Sequence, residues 1–429
     1  MYLYEQMPRY AGDAGWKHML KVAAAMCVLF LNYFMGNDYL ALISTGYICL
    51  ELVICQKKDV IPTLLFVTSF SQLFHFNQYD TFEFVCLAGI ARMLFQDAEL
   101  FKEFYFVQPV YLITHFWSTK LSDINLGRLI PIVALMCFFY ASYVYHKEER
   151  ESCINFYIAG HLLSGFLGYF REMTRLRFML ETDHTGGTIR FAGLAFDCNF
   201  FALPCVLILC YMFFEADGMK PWIWIMVTGA TMIMGAQTYS KSFYLCAAVV
   251  IWIAVINRNP NMKRKLLLLF VVCMVACIAF GEEIGRVFDV FFQRFTGAET
   301  VDDLTTGRAA VWKLYFEQQF SSIKTFFFGN GLVVRQKAAH NLFLQLLSQF
   351  GVIGALIDFL YFKICYSRIV KNKKLVMSDV CTILIVGMLL FNLSAYTFSG
   401  LWSCLFIMLL IISDKKDERY AVGKHPSTI

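Results

Sequence analysis

"AAHNLFLQLLSQFGVIGALIDFLYF", residues Ala338 to Phe362, sets a polar pair, His340 and Asn341, at the mouth of a long apolar run. Read as one membrane helix, the stretch puts an ionisable imidazole where bilayer meets water. Helical spacing places His340, Leu344, Leu347 and Gly351 on a shared face, with Gly354 following, and small residues there let another helix approach closely. The expectation is a single helix whose functional face points into a bundle.

Composition supports that reading. The 429 residues are 59% hydrophobic and 16% charged, with mean hydropathy +0.57, which excludes an ordinary soluble domain. The chain is also far too long for one crossing. It reads as an all-α polytopic membrane protein, one integral membrane domain over residues 1–429. The 15 cysteines fall in or beside apolar runs and serve as small apolar fillers, with no disulfide framework or Cys/His metal spacing. The run from Met19 to Met35 lacks a small-residue cleavage site and reads as a retained anchor.

Apolar runs give about fourteen spans. They centre on residues 19–35, 39–55, 60–76, 81–96, 104–117, 128–146, 154–170, 195–214, 221–238, 241–256, 265–280, 341–366, 379–396 and 399–413. With the N-terminus inside, the inner connections carry Lys57, Lys58, Lys147, Arg150, "NRNPNMKRK" from Asn257 and "YSRIVKNKK" from Tyr366. This is the positive-inside pattern, and an even number of spans leaves both termini cytoplasmic, with a polar tail at 414–429. Outer connections are short, with two exceptions: a first outer loop at 171–194 and a large extracytoplasmic loop at 281–339.

Both long loops are rich in cations. Arg171, Arg175, Arg177 and Arg190 lie in the first, and Arg286, Arg294, Arg308, Lys313, Lys324, Arg335 and Lys337 in the second. Guanidinium forks match phosphate oxygens, so an anionic ligand is one reading. The other is that long loops translocate regardless of charge, and acids such as Glu282, Asp302 and Glu317 balance the second loop. Further ionisable residues interrupt the apolar runs: Glu51, His75, Glu83, Arg92, His115, His161, Asp197 and Asp358. Of these, Asp197 stands near Arg190 at an outer end and is placed to pair with it.

These residues carry a family resemblance. "HNLFLQLLSQFGVIG" resembles the signature of the O-antigen ligase and polymerase superfamily, in which a His and a small polar residue precede a G-x-x-G. "TGRAAVWKLYFEQQF" followed by "FFFGNGL" resembles that family's Gly-Arg, Trp and Gly-x-Gly segment. "RFAGLAFDCNFFA" is similar to its Arg-Phe-x-Gly element ending in Pro-Asn, and "TYSKSFYLCA" to its Ser-basic element at the head of a span. The four occur in the family's order over roughly the C-terminal 240 residues. Two positions depart from the pattern: Cys198 replaces the proline before Asn199, and Lys241 replaces a common arginine, a point charge for a fork.

The resemblance implies a GT-C-like glycosyltransferase of the bacterial inner membrane, without metal or cofactor. Its donor would be an oligosaccharide on polyprenyl diphosphate, and its acceptor a glycan hydroxyl at the outer face. Membrane lipid and a flippase and chain-length regulator of the same pathway would be partners; nucleic acid would not. His340 is the expected base, with Arg190 and Arg308 holding the diphosphate. Lys241 adds charge, Asn199 and Asn341 orient sugars or neighbouring side chains, and Trp312 stacks on a sugar or anchors the interface. A polymerase of O-antigen, capsule or exopolysaccharide is favoured over a ligase transferring finished chains. A transporter or flippase is the competing class; it would need a site near mid-membrane, whereas no internal symmetry is visible here.

Overall fold

The computed structural model describes residues 13–35, 38–76, 79–96, 150–170, 190–195, 197–256, 260–279, scattered positions of 281–296, 308–330, 339–370, 374–390 and 398–413. The expected spans at 104–117 and 128–146, residues 171–189, about half of the large loop and the tail at 414–429 lie outside them. Each remaining apolar run overlaps a helix: α1 Asp13–Met35, α2 Asp38–Ile54, α3 Lys57–Thr68, α4 Phe82–Gln96, α5 Arg150–Phe170, α6 Cys198–Phe214, α7 Pro221–Gln237, α8 Lys241–Ile256 and α9 Pro260–Ala279. Then follow α10 Arg308–Gln319, α11 Ile323–Phe328, α12 Leu342–Val370, α13 Met377–Leu390 and α14 Phe398–Ile412. Among the described residues the regular structure is helical apart from one hairpin of two-residue strands, β1 His75–Phe76 and β2 Tyr79–Asp80, between α3 and α4.

That hairpin corrects the third expected span. Helix α3 ends at Thr68, and a 3-10 turn over Ser71–Leu73 leads into β1, so the α-helix does not continue over residues 69–76. Among the described residues one helix, α5, is long and apolar enough to cross a membrane by length and composition, and six others, including α6, α8 and α13, are shorter apolar helices.

Helix α6 is the centre of the bundle. Its residues from Phe201 to Phe213 are buried almost without a break, as befits a helix apolar around its whole circumference. Helices α7, α8, α13 and α14 pack around it. Helix α5 presses close on its neighbours through glycines: a Cβ at Gly160 would lie 2.4 Å from the Phe66 carbonyl of α3, and one at Gly168 would lie 2.5 Å from Gly193 Cα. Small residues at such crossings let backbones touch and gain dispersion where the surroundings offer no hydrophobic gain.

Helices α1 to α4 form an N-terminal group tied by polar contacts. His18 on α1 bonds Glu51 on α2 at 3.2 Å and the Thr63 hydroxyl on α3 at 2.9 Å, and the Tyr47 hydroxyl donates to Glu51 at 2.9 Å. Glu51, one of the interrupting charges of the sequence, is therefore satisfied by its neighbours. Arg92 donates to the Cys55 carbonyl at 3.3 Å.

Candidate functional site

Helix α12 is where the structure departs most from expectation. His340 precedes the helix instead of sitting on it, with φ 47°, and Gly351 breaks it with φ 65° and ψ −173°. The shared face from His340 to Gly351 therefore does not form. The break frees the Ser348 carbonyl from its helical bond, and Asn330 N–H takes it at 2.8 Å. Here the chain after α11 turns through Gly329 at φ 73° and lies backbone to backbone on α12: a Cβ on Gly329 would meet Gln349 O at 2.3 Å, and one on Gly351 would meet the Phe327 backbone at 2.4 Å. The glycines do permit close approach, but of a turn against a helix break.

Asn341 is buried, and its Oδ1 accepts from Leu344 N–H at 3.1 Å. It is the N-cap of α12, a structural task that orients the neighbouring His340. Trp312 donates its indole N–H to the Ala339 carbonyl at 2.8 Å, so α10 grips the chain one residue before His340. These two bonds bracket the imidazole and hold its left-handed backbone.

The Arg-Phe-x-Gly element has a similar internal logic. Phe191 plugs into the bundle, stacking on Tyr169 at 4.4 Å and meeting Phe201 edge-on at 5.2 Å. Gly193 turns the chain at φ 56°, where a Cβ would strike the Phe201 ring. Phe191 N–H bonds the Gln237 carbonyl at 3.0 Å, and the Tyr169 hydroxyl donates to the Gln237 side chain. Arg190 is thereby held at the end of α7, its Nε donating to the Thr238 carbonyl at 2.9 Å.

Asn199 joins three elements. Its Oδ1 accepts from Arg190 Nη2 at 3.4 Å and from the Ser240 hydroxyl at 2.9 Å, linking the 190–195 segment, the first turn of α6 and the residue before α8. Asp197 caps α6, its Oδ1 accepting from Asn199 N–H at 2.5 Å. Lys241 is half-buried as the first residue of α8.

Electrostatics connects this group with the His340 group. Burial lowers the His340 pKa below 6.5, the nearby Arg308 guanidinium lowers it further, and Asp197 opposes both. The imidazole therefore lies within electrostatic reach of a guanidinium at the start of α10 and a carboxylate at the start of α6. Arg190, Asn199, Lys241, Arg308, His340, Asn341 and Trp312 thus gather at one end of the bundle, where α6, α8, α10 and α12 all begin. Four helix N-termini and two arginines make a place for negative charge.

Sequence reasoning left Thr238, Ser240, Gln237 and Tyr169 out of the site. All four act through backbone carbonyls or as links between elements, which spacing alone does not reveal. Asp197 was legible only as a neighbour of Arg190; the structure adds its position near His340. No family model, curated protein or solved structure matches the chain.

Proposed function

We propose that the chain is a membrane-embedded glycosyltransferase that polymerises polysaccharide repeat units, using an oligosaccharide on polyprenyl diphosphate. In this reading the apolar runs cross the inner membrane in a GT-C-like arrangement, the third as a shorter helix completed by its turn and hairpin, both termini are cytoplasmic, and the site end faces outward. What supports it is that Arg308 and Asp197 both act electrostatically on His340, and that Arg190 bonds Asn199, two residues from Asp197.

The chemistry uses those groups as follows. Neutral His340 takes the proton from an acceptor sugar hydroxyl as its oxygen bonds to the anomeric carbon of the donor. The bond from that carbon to the diphosphate oxygen breaks, and polyprenyl diphosphate leaves with the electron pair. Arg190 and Arg308, aided by Lys241 and the helix N-termini, stabilise the charge growing on the leaving group. The lowered His340 pKa suits a base that must be unprotonated at neutral pH; burial lowers it most, and the arginine assigned to the diphosphate adds to the effect.

The full chain, reconstituted in liposomes with a polyprenyl diphosphate oligosaccharide, should yield a ladder of repeats. His340→Ala should lower turnover about 100- to 10,000-fold while the protein stays folded in the membrane. Full activity in that variant would remove His340 as the base, and a single transfer to a distinct acceptor in place of a ladder would mark a ligase.

A further inference from the structure

Helices α10 and α11 carry an apolar surface that the bundle does not use. The side of α10 turned to the protein is occupied by Tyr315 and Gln319, both buried, and by Trp312, which grips Ala339. Away from that side, Phe316 and Phe320, the residue after α10, are 46% and 64% exposed, and on α11 Ile323 is 80% and Phe327 41% exposed. Side-chain contacts join the four into one patch. Phe320 follows Phe316 by one helical turn and meets Phe326 at 5.5 Å; Phe326 meets Phe327 edge-on at 5.0 Å, and Phe327 follows Ile323 by one turn. A helix apolar on two sides needs two apolar neighbours, and a connected exposed patch marks the place of the second.

Position says what that neighbour is. The end of α11 lies against α12 below its first turns: a Cβ on Gly329 would meet Gln349 O, and one on Gly351 would meet the Phe327 backbone. Gln349 is seven residues beyond Leu342, about 10 Å along the helix axis. Phe327 therefore stands beside the apolar run of α12, well past its mouth at Asn341. In the membrane reading that depth is lipid.

The helix ends suit such surroundings. A short helix leaves its last carbonyls unpaired, but the Gln319 amide donates to those of Thr325 and Phe326 at 2.8 and 3.1 Å, and a capping box between Ser322 and Thr325 closes the first turn. The charges nearby also fit. Lys313 and Lys324 are exposed on the same two helices, with stems long enough to reach lipid phosphates. Lysine is depleted at protein interfaces, whereas phenylalanine and isoleucine beside lysine is the composition of a membrane-surface helix.

We propose that Phe316, Phe320, Ile323 and Phe327 seat α10 and α11 in the bilayer leaflet at the site end, with acyl chains covering the patch. The inference rests on the membrane placement in the reading above and not on glycosyl transfer. It fastens the helix that begins at Arg308 to the leaflet from which a lipid-linked donor arrives.

The test is photolabelling from the lipid, which needs neither turnover nor a variant. The full chain is placed in nanodiscs of phosphatidylethanolamine and phosphatidylglycerol with a phospholipid carrying a diazirine in its acyl chain, irradiated, and its adducts mapped by peptide mass spectrometry. Exposed side chains of α9, such as Phe270 and Val275, are the internal standard for a crossing segment. Adducts are expected on the four patch residues as well as on α9, and hydroxyl-radical oxidation of the same preparation should spare both. Adducts on α9 with none on the patch overturn the inference and keep the membrane reading, whether water oxidises the patch or another protein surface shields it. Adducts on neither overturn both. Turnover of His340→Ala judges the enzyme reading by a separate readout.

Discussion

Two arginines at opposite ends of the same bundle are used in opposite ways. Arg150, at the start of α5, is 3% exposed; its Nε donates to Leu410 O at 2.7 Å and to the Ser413 hydroxyl at 3.0 Å, and its Nη2 meets Glu215 at 3.2 Å. Those acceptors sit where α6 and α14 end. Nearby Lys265 caps the chain after α6 through Ala216 O at 2.7 Å and Asp217 O at 3.1 Å. Here cations meet the negative ends of helices and a carboxylate, which is a way of closing a structure. Arg190, at the other end, bonds the Thr238 carbonyl at the end of α7 and the Asn199 side chain in the first turn of α6, with no carboxylate among these partners. The Thr238 carbonyl takes part of that charge, while the neighbouring starts of α6 and α8 add positive potential, which suits an anionic ligand.

The sharpest way to break this contrast is to remove each arginine. Arg150→Met leaves Glu215 and the last carbonyls of α14 without their partner and should cost about 3–5 kcal/mol, read as loss of folded protein in detergent melts. Arg190→Gln should melt close to the parent but lose about 100- to 1,000-fold in turnover. Equal melting losses for the two variants would erase the distinction between a closing arginine and a binding one.

A smaller effect is expected at the break in α12. Gly351→Ala forces a side chain into φ 65° and against the Phe327 backbone, at a cost of about 1–3 kcal/mol. Because the break and the Asn330 bond steady the short helix behind His340, turnover should fall with stability. An alanine variant as stable as the parent would mean that the junction is not needed.

The least costly change sharpens the electrostatic link. Burial and Arg308 hold the His340 pKa below 6.5, so the neutral imidazole forms at lower pH than in an unperturbed histidine and its fraction rises with pH. Arg308→Gln removes one lowering cause and should move the His340 titration, followed by NMR, to higher pH. Asp197→Asn removes the opposing charge and should move it lower. No displacement in either variant would separate these groups from the imidazole.

Much of this end of the molecule was legible in the sequence, for a physical reason. Apolar runs mark helices whatever their depth, so helix positions followed from composition, and clustered cations are conspicuous between such runs. Backbone geometry was not legible in the same way. The motif around His340 reads as an unbroken helix because its apolar spacing continues through Gly351; only the turn at Gly329, folding onto it from twenty residues upstream, shows why the helix breaks. The sequence left Asn341 between orienting a sugar and orienting its neighbours, and Trp312 between stacking on a sugar and anchoring the interface; their hydrogen bonds go to Leu344 and Ala339. Residues 69–76 look as apolar as a helix, but their buried side chains, Phe70, Leu73 and Phe74, are served by a turn and a hairpin.

The most direct measurement of the central claim is the affinity of the purified full chain in nanodiscs for undecaprenyl diphosphate, with undecaprenol as the uncharged control. A charge-assisted hydrogen bond is worth about 1.5–3 kcal/mol, so Arg190→Gln and Arg308→Gln should each weaken diphosphate binding by roughly 10- to 100-fold and leave undecaprenol binding unchanged. Equal affinity of parent and both variants for the diphosphate would contradict a diphosphate site at the meeting of these helices.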